Sequence, residues 1–166
     1  MQDYRTNMAH RPKIIVGLLG IDQHEVGAIA IGGLLRDAGM EVIYVGRYNT
    51  PASFVRVALH EDADVIGISC HSWEYLEYVP ELMTMLRDEA LDVDVVLGGS
   101  VITPSDADQM RKAGVAGIFG PDATPDQIVG DIRALAAARQ QRLRAEPRNG
   151  TADRDRSAIA QPHNQK

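Results

Sequence analysis

Five short apolar runs, each followed by a stretch with helical spacing, constrain this 166-residue chain more than any other feature. Lys13 to Leu19 (KIIVGLL), Glu41 to Val45, Asp64 to Ser69 (DVIGIS), Val93 to Leu97 (VDVVL) and Val115 to Phe119 (VAGIF) read as strands. The first is almost continuously apolar, the pattern of a strand covered on both faces of a parallel sheet. Ile31, Leu34, Leu35 and Ala38 recur at helical spacing ahead of Gly39, which is placed to cap the helix. Gly32 and Gly33 within it each cost about 1 kcal/mol against alanine, so something is expected to pack close to that backbone. Three Thr-Pro pairs (Thr50-Pro51, Thr103-Pro104, Thr124-Pro125) each announce a helix, threonine as cap and proline in the first turn. The first helix gathers Phe54, Val55, Ala58 and Leu59 on one face, the second is closed by Gly114, and the third sets Gln127 in a capping-box position before Ile128, Ile132 and Leu135. Pro80 is expected in the first turn of a helix continuing through Leu82, Met83 and Leu86, which leaves Cys70 to Tyr78 as a long loop. Strict alternation predicts an α/β domain, an open doubly wound five-stranded parallel sheet with helices on both faces.

Residues 12–140 form the expected domain. Residues 1–11 are polar and without periodicity, a flexible arm, and 141–166 are rich in Arg, Gln, Asp and Asn, which predicts a disordered tail. The N-terminus lacks the apolar core of a signal peptide, and no apolar stretch approaches the roughly eighteen residues that span a bilayer. A single cysteine, Cys70, excludes an internal disulfide and agrees with a reducing, cytoplasmic setting. The net charge of -6 argues against nucleic acid or an anionic membrane as partner.

In such a sheet, ligands bind beyond the carboxyl ends of the strands, near the point where strand order reverses. The loops at that edge hold Asp22, His24 and Gly27 after the first strand, Ser69, Cys70, His71, Ser72 and Trp73 after the third, Gly98-Gly99-Ser100 after the fourth, and Gly120-Pro121 after the fifth. Two histidines, small residues and glycine-bearing turns therefore converge. The Asp-x-His spacing suits a metal ligand, because a carboxylate that accepts one ring N–H fixes the tautomer and strengthens the other nitrogen as a donor. Plainer roles exist for each: a surface polar histidine, a backbone-bonding serine, turn glycines, and His71, Cys70 and Trp73 as a cover for the sheet edge. Cys70 with His24 or His71 as base would make a nucleophile if the three met. The first turn lacks the glycine fingerprint of a dinucleotide site, Gly120-Pro121 supplies no lysine for a phospho-acceptor receiver, and Asp22 and His24 stand where a flavodoxin needs a phosphate loop. Elimination favours a metal-centred ligand.

Asp22-x-His24-x-x-Gly27, then Ser69, then Gly98-Gly99, resembles the DxHxxG…SxL…GG signature of cobalamin-binding domains, over about residues 12–138. The resemblance implies a flavodoxin-like fold and cobalamin bound with its dimethylbenzimidazole arm detached. It further implies His24 as the lower cobalt ligand, Asp22 bonded to its other ring nitrogen, and Gly27 at the start of a helix close to the nucleotide tail. Ser69 would face the dimethylbenzimidazole, Gly98-Gly99 would leave room for it, and the first-helix glycines and the small residues around Gly120 would make space for the arm. Two positions depart from the pattern. His71 replaces the leucine of SxL, which could bring the loop into contact with the corrin, and Leu18 stands where acyl-CoA mutases of this family carry a lysine. No barrel or helical bundle accompanies the domain. The resemblance therefore implies a small subunit that brings adenosylcobalamin to a large catalytic barrel subunit of a carbon-skeleton mutase, acting on an acyl-CoA or, alternatively, on glutamate. A stand-alone cobalamin carrier or sensor and a corrinoid methyl carrier are the other readings.

Overall fold

A computed structural model describes residues 10–145. Five strands alternate with five helices: β1 (Lys13–Leu19), α1 (Glu25–Asp37), β2 (Glu41–Asn49), α2 (Pro51–Glu61), β3 (Val65–Ser69), α3 (Tyr75–Asp88), β4 (Asp94–Gly98), α4 (Pro104–Ala113), β5 (Gly117–Phe119) and α5 (Pro125–Ala145). The strands form one parallel sheet in the order β2-β1-β3-β4-β5, the flavodoxin-like arrangement. From β1 the chain moves outward one way to β2 and then returns to β3 on the other side. The loops after β1 and β3 therefore flank the switch point where such folds bind ligands.

Two apolar layers cover the sheet. One packs α2, α3 and α4 around Phe54, Tyr75, Leu82 and Met110, and the other packs α1 and α5 around Leu18, Leu35, Phe119 and Ile132. Local chemistry fixes where the helices begin. Thr50 and Thr103 each accept from an N–H in the first turn while Ser53 and Asp106 bond back to the cap, and Thr124 Oγ1 accepts from Gln127 N–H at 3.2 Å. Gly114 ends α4 in the left-handed region at φ 111°. Among the described residues no helix is long and apolar enough to cross a membrane.

Several expectations need correction. Leu59 is exposed while Phe54, Val55 and Ala58 face the core, and Pro51 and Val57 complete the stripe of α2 in its place. Pro80 lies inside α3, which starts at Tyr75. That tyrosine is buried and its hydroxyl donates to Asp106 at 2.9 Å, which anchors the helix start ahead of the proline. Gly32 does pack closely, against Val42 of β2, but Gly33 faces open space, and neither glycine borders the site described below.

Both termini of the domain are more ordered than their polarity predicts. His10 and Arg11 are tied down, His10 Nε2 lying 2.6 Å from Asp64 and Arg11 donating to the carbonyls of Gly39 and Met40. α5 runs through 141–145, where Arg142 bonds Asp92 and Asp94. The rest of the expected arm and tail, 1–9 and 146–166, lies outside the described residues.

Candidate cofactor site at the switch point

The loop after β1 is built by acidic side chains that accept backbone N–H groups. Ile21 N–H donates to the Glu74 carboxylate at 3.1 and 3.2 Å, and the Ser72 hydroxyl donates to the same group at 3.0 Å. This turn carries Asp22 inward until the residue is 4% exposed. Asp22 Oδ1 accepts from His24 N–H at 3.0 Å and lies 2.8 Å from His24 Nδ1, while Oδ2 accepts from His71 N–H at 2.8 Å. Burial by itself would raise the Asp22 carboxyl. The two bonds from His24 and the one from His71 outweigh it and hold the group below the ordinary carboxylate range.

An ionised Asp22 can only accept, so His24 Nδ1 carries a proton, and in the neutral imidazole the lone pair falls on Nε2. The His24 side chain is 69% exposed, so this basic nitrogen is presented outward. Among the described residues no three His, Cys, Asp or Glu side chains converge on one point. A single imidazole donor beside a buried carboxylate suits a metal that arrives already held by a macrocycle.

Beside this pair a cavity of ≈ 200 Å³ opens between the sheet and the α1/α5 layer. It reaches from the strand ends down past Val16 and Val96 to Leu35 and Ile132, and it is lined almost wholly by apolar side chains. A void of this size would cost a closed core about 5 kcal/mol, a cost that an inserted apolar arm offsets. Gly27, Ser69, His71, Gly98, Gly99 and Gly120 all border it. Asp22 and His24 stand next to it, linked through His71, whose ring centroid is 5.7 Å from that of His24. All eight expected site residues thus gather at one edge of the sheet. An exposed imidazole nitrogen beside a deep apolar slot fits the two halves of a cobalamin with a detached base.

Residues 12–129 match the B12 binding domain family. The chain belongs to that family. Its B12-binding domain is 36% identical over 127 residues to the 2-hydroxyisobutanoyl-CoA mutase small subunit of Aquincola tertiaricarbonis, a match covering 76% of this chain and 93% of that one. It is 39% identical over 135 residues to the pivalyl-CoA mutase small subunit of Xanthobacter autotrophicus, covering 81% and 87% respectively. Among solved structures, a cobalamin-binding protein from Desulfitobacterium hafniense superposes with a TM-score of 0.66 at 19% identity, over 75% of this chain and 59% of that one. At that identity the likeness speaks for the fold.

Within the B12-binding domain the structure separates residues that sequence alone groups together. Gly99 is demanded by the backbone: at φ 156° any Cβ would overlap the Cys70 carbonyl oxygen. Its neighbour Gly98 and the more distant Gly120 are different, since a Cβ would meet only Phe119 at 3.8 Å or nothing within 4 Å. Gly27 keeps the first turn of α1 open towards Ser69 and His71, whose atoms would lie 3.4 to 3.6 Å from a Cβ there. Leu18 is fully buried in the core, and the Asp22 oxygen not shared with His24 is satisfied by the His71 N–H.

Cys70 is no nucleophile. It is 2% exposed within the core, its Sγ makes one hydrogen bond, to the Ile68 carbonyl at 3.7 Å, and burial followed by the charge of Asp22 pushes its thiol well above the normal range. Trp73 is 63% exposed and does not border the cavity. Sequence reasoning missed Glu74, which fixes the β1 turn, and Asn49, whose Nδ2 ties the carbonyls of Leu18 and Gly46 together at 3.1 and 2.9 Å. The signal available for Asn49 was an amide directly before the Thr50 cap.

Proposed function

We propose that this chain is the cobalamin-binding small subunit of an adenosylcobalamin-dependent acyl-CoA mutase and acts with a separate large barrel subunit that holds the substrate. The observation that carries the reading is the outward Nε2 of His24, fixed by the Asp22 carboxylate beside an apolar slot. The small-subunit relatives favour an acyl-CoA over glutamate. Both are protein chains of nearly the same extent as this domain.

His24 would hold cobalt from below and Asp22 would fix its tautomer and raise its basicity. Gly27, Gly98 and Gly120 would leave the walls of the slot open, and Ser69 and His71 would face the arm within it. When bound, the cofactor supplies a cobalt–carbon bond that breaks homolytically to start a radical 1,2-rearrangement. The chain's own part is to bind, to orient and to keep the lower ligand in place. Substrate choice would fall to the partner, because the apolar slot of this chain would be taken up by the cofactor's arm. A lone buried thiol and the absence of spanning helices among the described residues suit assembly in a reducing cytoplasm.

The test is to co-purify the tagged full-length chain from its source cells and identify what it retains by mass spectrometry. A large mutase subunit is expected, with rearrangement of a short branched acyl-CoA only when both chains and adenosylcobalamin are present. Turnover by the isolated chain would contradict the reading, as would a partner with no barrel.

A further inference from the structure

The loops after β1 and β3 each lend a carboxylate to the other's backbone. Asp22 of the first loop accepts from the His71 N–H of the second at 2.8 Å. Glu74, the last residue of the second loop, does the converse: its two oxygens share the Ile21 N–H at 3.1 and 3.2 Å, and the Ser72 hydroxyl donates to the same group at 3.0 Å. Ile21 directly precedes Asp22. The contact is tight, since Gly20 turns at φ 65° and a Cβ there would stand 2.7 to 2.9 Å from the atoms of the carboxylate.

This side chain has a nearer use that it forgoes. Glu74 is the N-cap residue of α3, where an acceptor side chain ordinarily bonds an N–H of its own first turn, and it makes no such bond. Nor does it line the slot. Its oxygens go instead to the peptide ahead of Asp22, so whatever it does for the site is done through Asp22 and His24.

We infer that Glu74 is a positioning residue for the cobalt ligand: by holding the Ile21 peptide it sets where Asp22, and through it His24 Nε2, stands relative to the mouth of the slot. The inference rests on the cobalamin reading above. A cofactor that threads an arm into the slot and takes its lower ligand from His24 makes two linked contacts, and the second forms only if the imidazole stands at the right reach from the first. The His24 ring is 69% exposed and its side-chain hydrogen bond goes to Asp22, so the aim of its free nitrogen is the aim of the loop. A loop ordered before the cofactor arrives leaves less ordering cost to be met on ligation. Glu74 supplies that order from a residue that touches neither the slot nor His24.

The experiment reads the ligation itself, with cob(II)alamin bound at saturation to the full-length chain uniformly labelled with the heavy nitrogen isotope. In the electron paramagnetic resonance spectrum a doublet on the cobalt lines reports a protein nitrogen, a triplet the cofactor's own base, and unsplit lines a cobalt with neither. Wild type should give the doublet alone. In Glu74→Ala the affinity, from absorbance titration, should fall about tenfold as the ligand-competent loop becomes a minor population, and part of the bound cobalt should show unsplit lines. Glu74→Asp, whose shorter side chain does not reach Ile21, should behave like Glu74→Ala. Glu74→Gln keeps an acceptor oxygen for that N–H and should retain most of the affinity and the doublet. In a His24→Ala background, Glu74→Ala should weaken binding no further. A merely structural role would lower stability yet leave all bound cobalt in the doublet, and that result overturns the inference. A further tenfold loss in the His24→Ala background overturns it as well. Wild-type protein that takes up no cobalamin, or that shows the triplet, instead overturns the functional reading beneath it.

Discussion

Asp22, just beyond the carboxyl end of β1, and Asp64, just before the amino end of β3, are both buried carboxylates on opposite edges of one sheet. For each, burial pushes the carboxyl up, and hydrogen bonds pull it back below the ordinary range. Asp64 spends its oxygens inside the fold: on Lys13 N–H at 2.9 Å, His10 Nε2 at 2.6 Å, Gln140 Nε2 at 2.7 Å and Arg139 Nη1 at 3.0 Å. Arg139 is itself buried and bonded to Asp62 and to the Asp92 carbonyl, so the network closes on protein. Asp22 shares its oxygens between a backbone N–H and a histidine that is mostly exposed. A buried charge whose partners all lie within the fold is a clasp, here joining the start of β1 to the end of α5. One whose partner faces solvent beside an apolar slot is what the proposed cofactor site requires.

Breaking the clasp should have the larger effect. Asp64→Ala strips the buried Arg139 of its buried carboxylate, leaving it the exposed Asp62 and the Asp92 carbonyl, and orphans the Lys13 N–H and Gln140 as well; it is expected to cost about 3 kcal/mol in denaturant unfolding. Asp22→Ala, whose partner can turn to water, should cost clearly less. The same contrast appears in acid. Both carboxylates have folded-state values below the unfolded ~3.9, so their stabilisation is complete above the unfolded value and is lost as pH falls through the folded one. Asp64→Asn should therefore flatten the acid limb of the stability curve more than Asp22→Asn does. Equal flattening would erase the distinction between the two sites.

Next in size is cofactor affinity. Asp22→Asn keeps the shape of the side chain but loses the charge that fixes His24, and cobalamin affinity measured by spectral titration should drop about 10–100-fold. Asp64→Asn should leave that affinity within a few-fold. If the two variants weaken binding alike, the loop at the switch point is held by general stability and not by Asp22.

The two edges were not equally legible in the sequence. The carboxyl edge could be anticipated because its residues fall in loops after recognisable strands, and the alternation of strand and helix names those loops. β1 follows the apolar run KIIVGLL residue for residue, and the Thr-Pro caps start three helices where threonine and proline chemistry requires. The contact between Asp22 and His71 could not be read, since its donor is a backbone N–H that every residue carries. The clasp was missed for a different reason. α5 continues its buried stripe from Ile128 and Ile132 through Ala136 to Arg139 at helical spacing, but the last member is an arginine whose stem packs like an apolar side chain. Hydropathy ends the helix there, and only the distant aspartates explain why the chain does not. Pro80 misled in the opposite direction: proline favours a first turn, but burial of Tyr75 starts α3 earlier.

The central claim is that His24 Nε2 becomes the lower ligand of cobalt while Asp22 holds Nδ1. Electron paramagnetic resonance of cob(II)alamin bound to protein uniformly labelled with the heavy nitrogen isotope tests it directly, because the axial nitrogen splits the cobalt lines. If His24 is the ligand, labelling the protein converts each triplet into a doublet, and His24→Ala abolishes the doublet. If the triplet survives in labelled protein, the nitrogen belongs to the cofactor's own base and the account of the switch-point site is wrong.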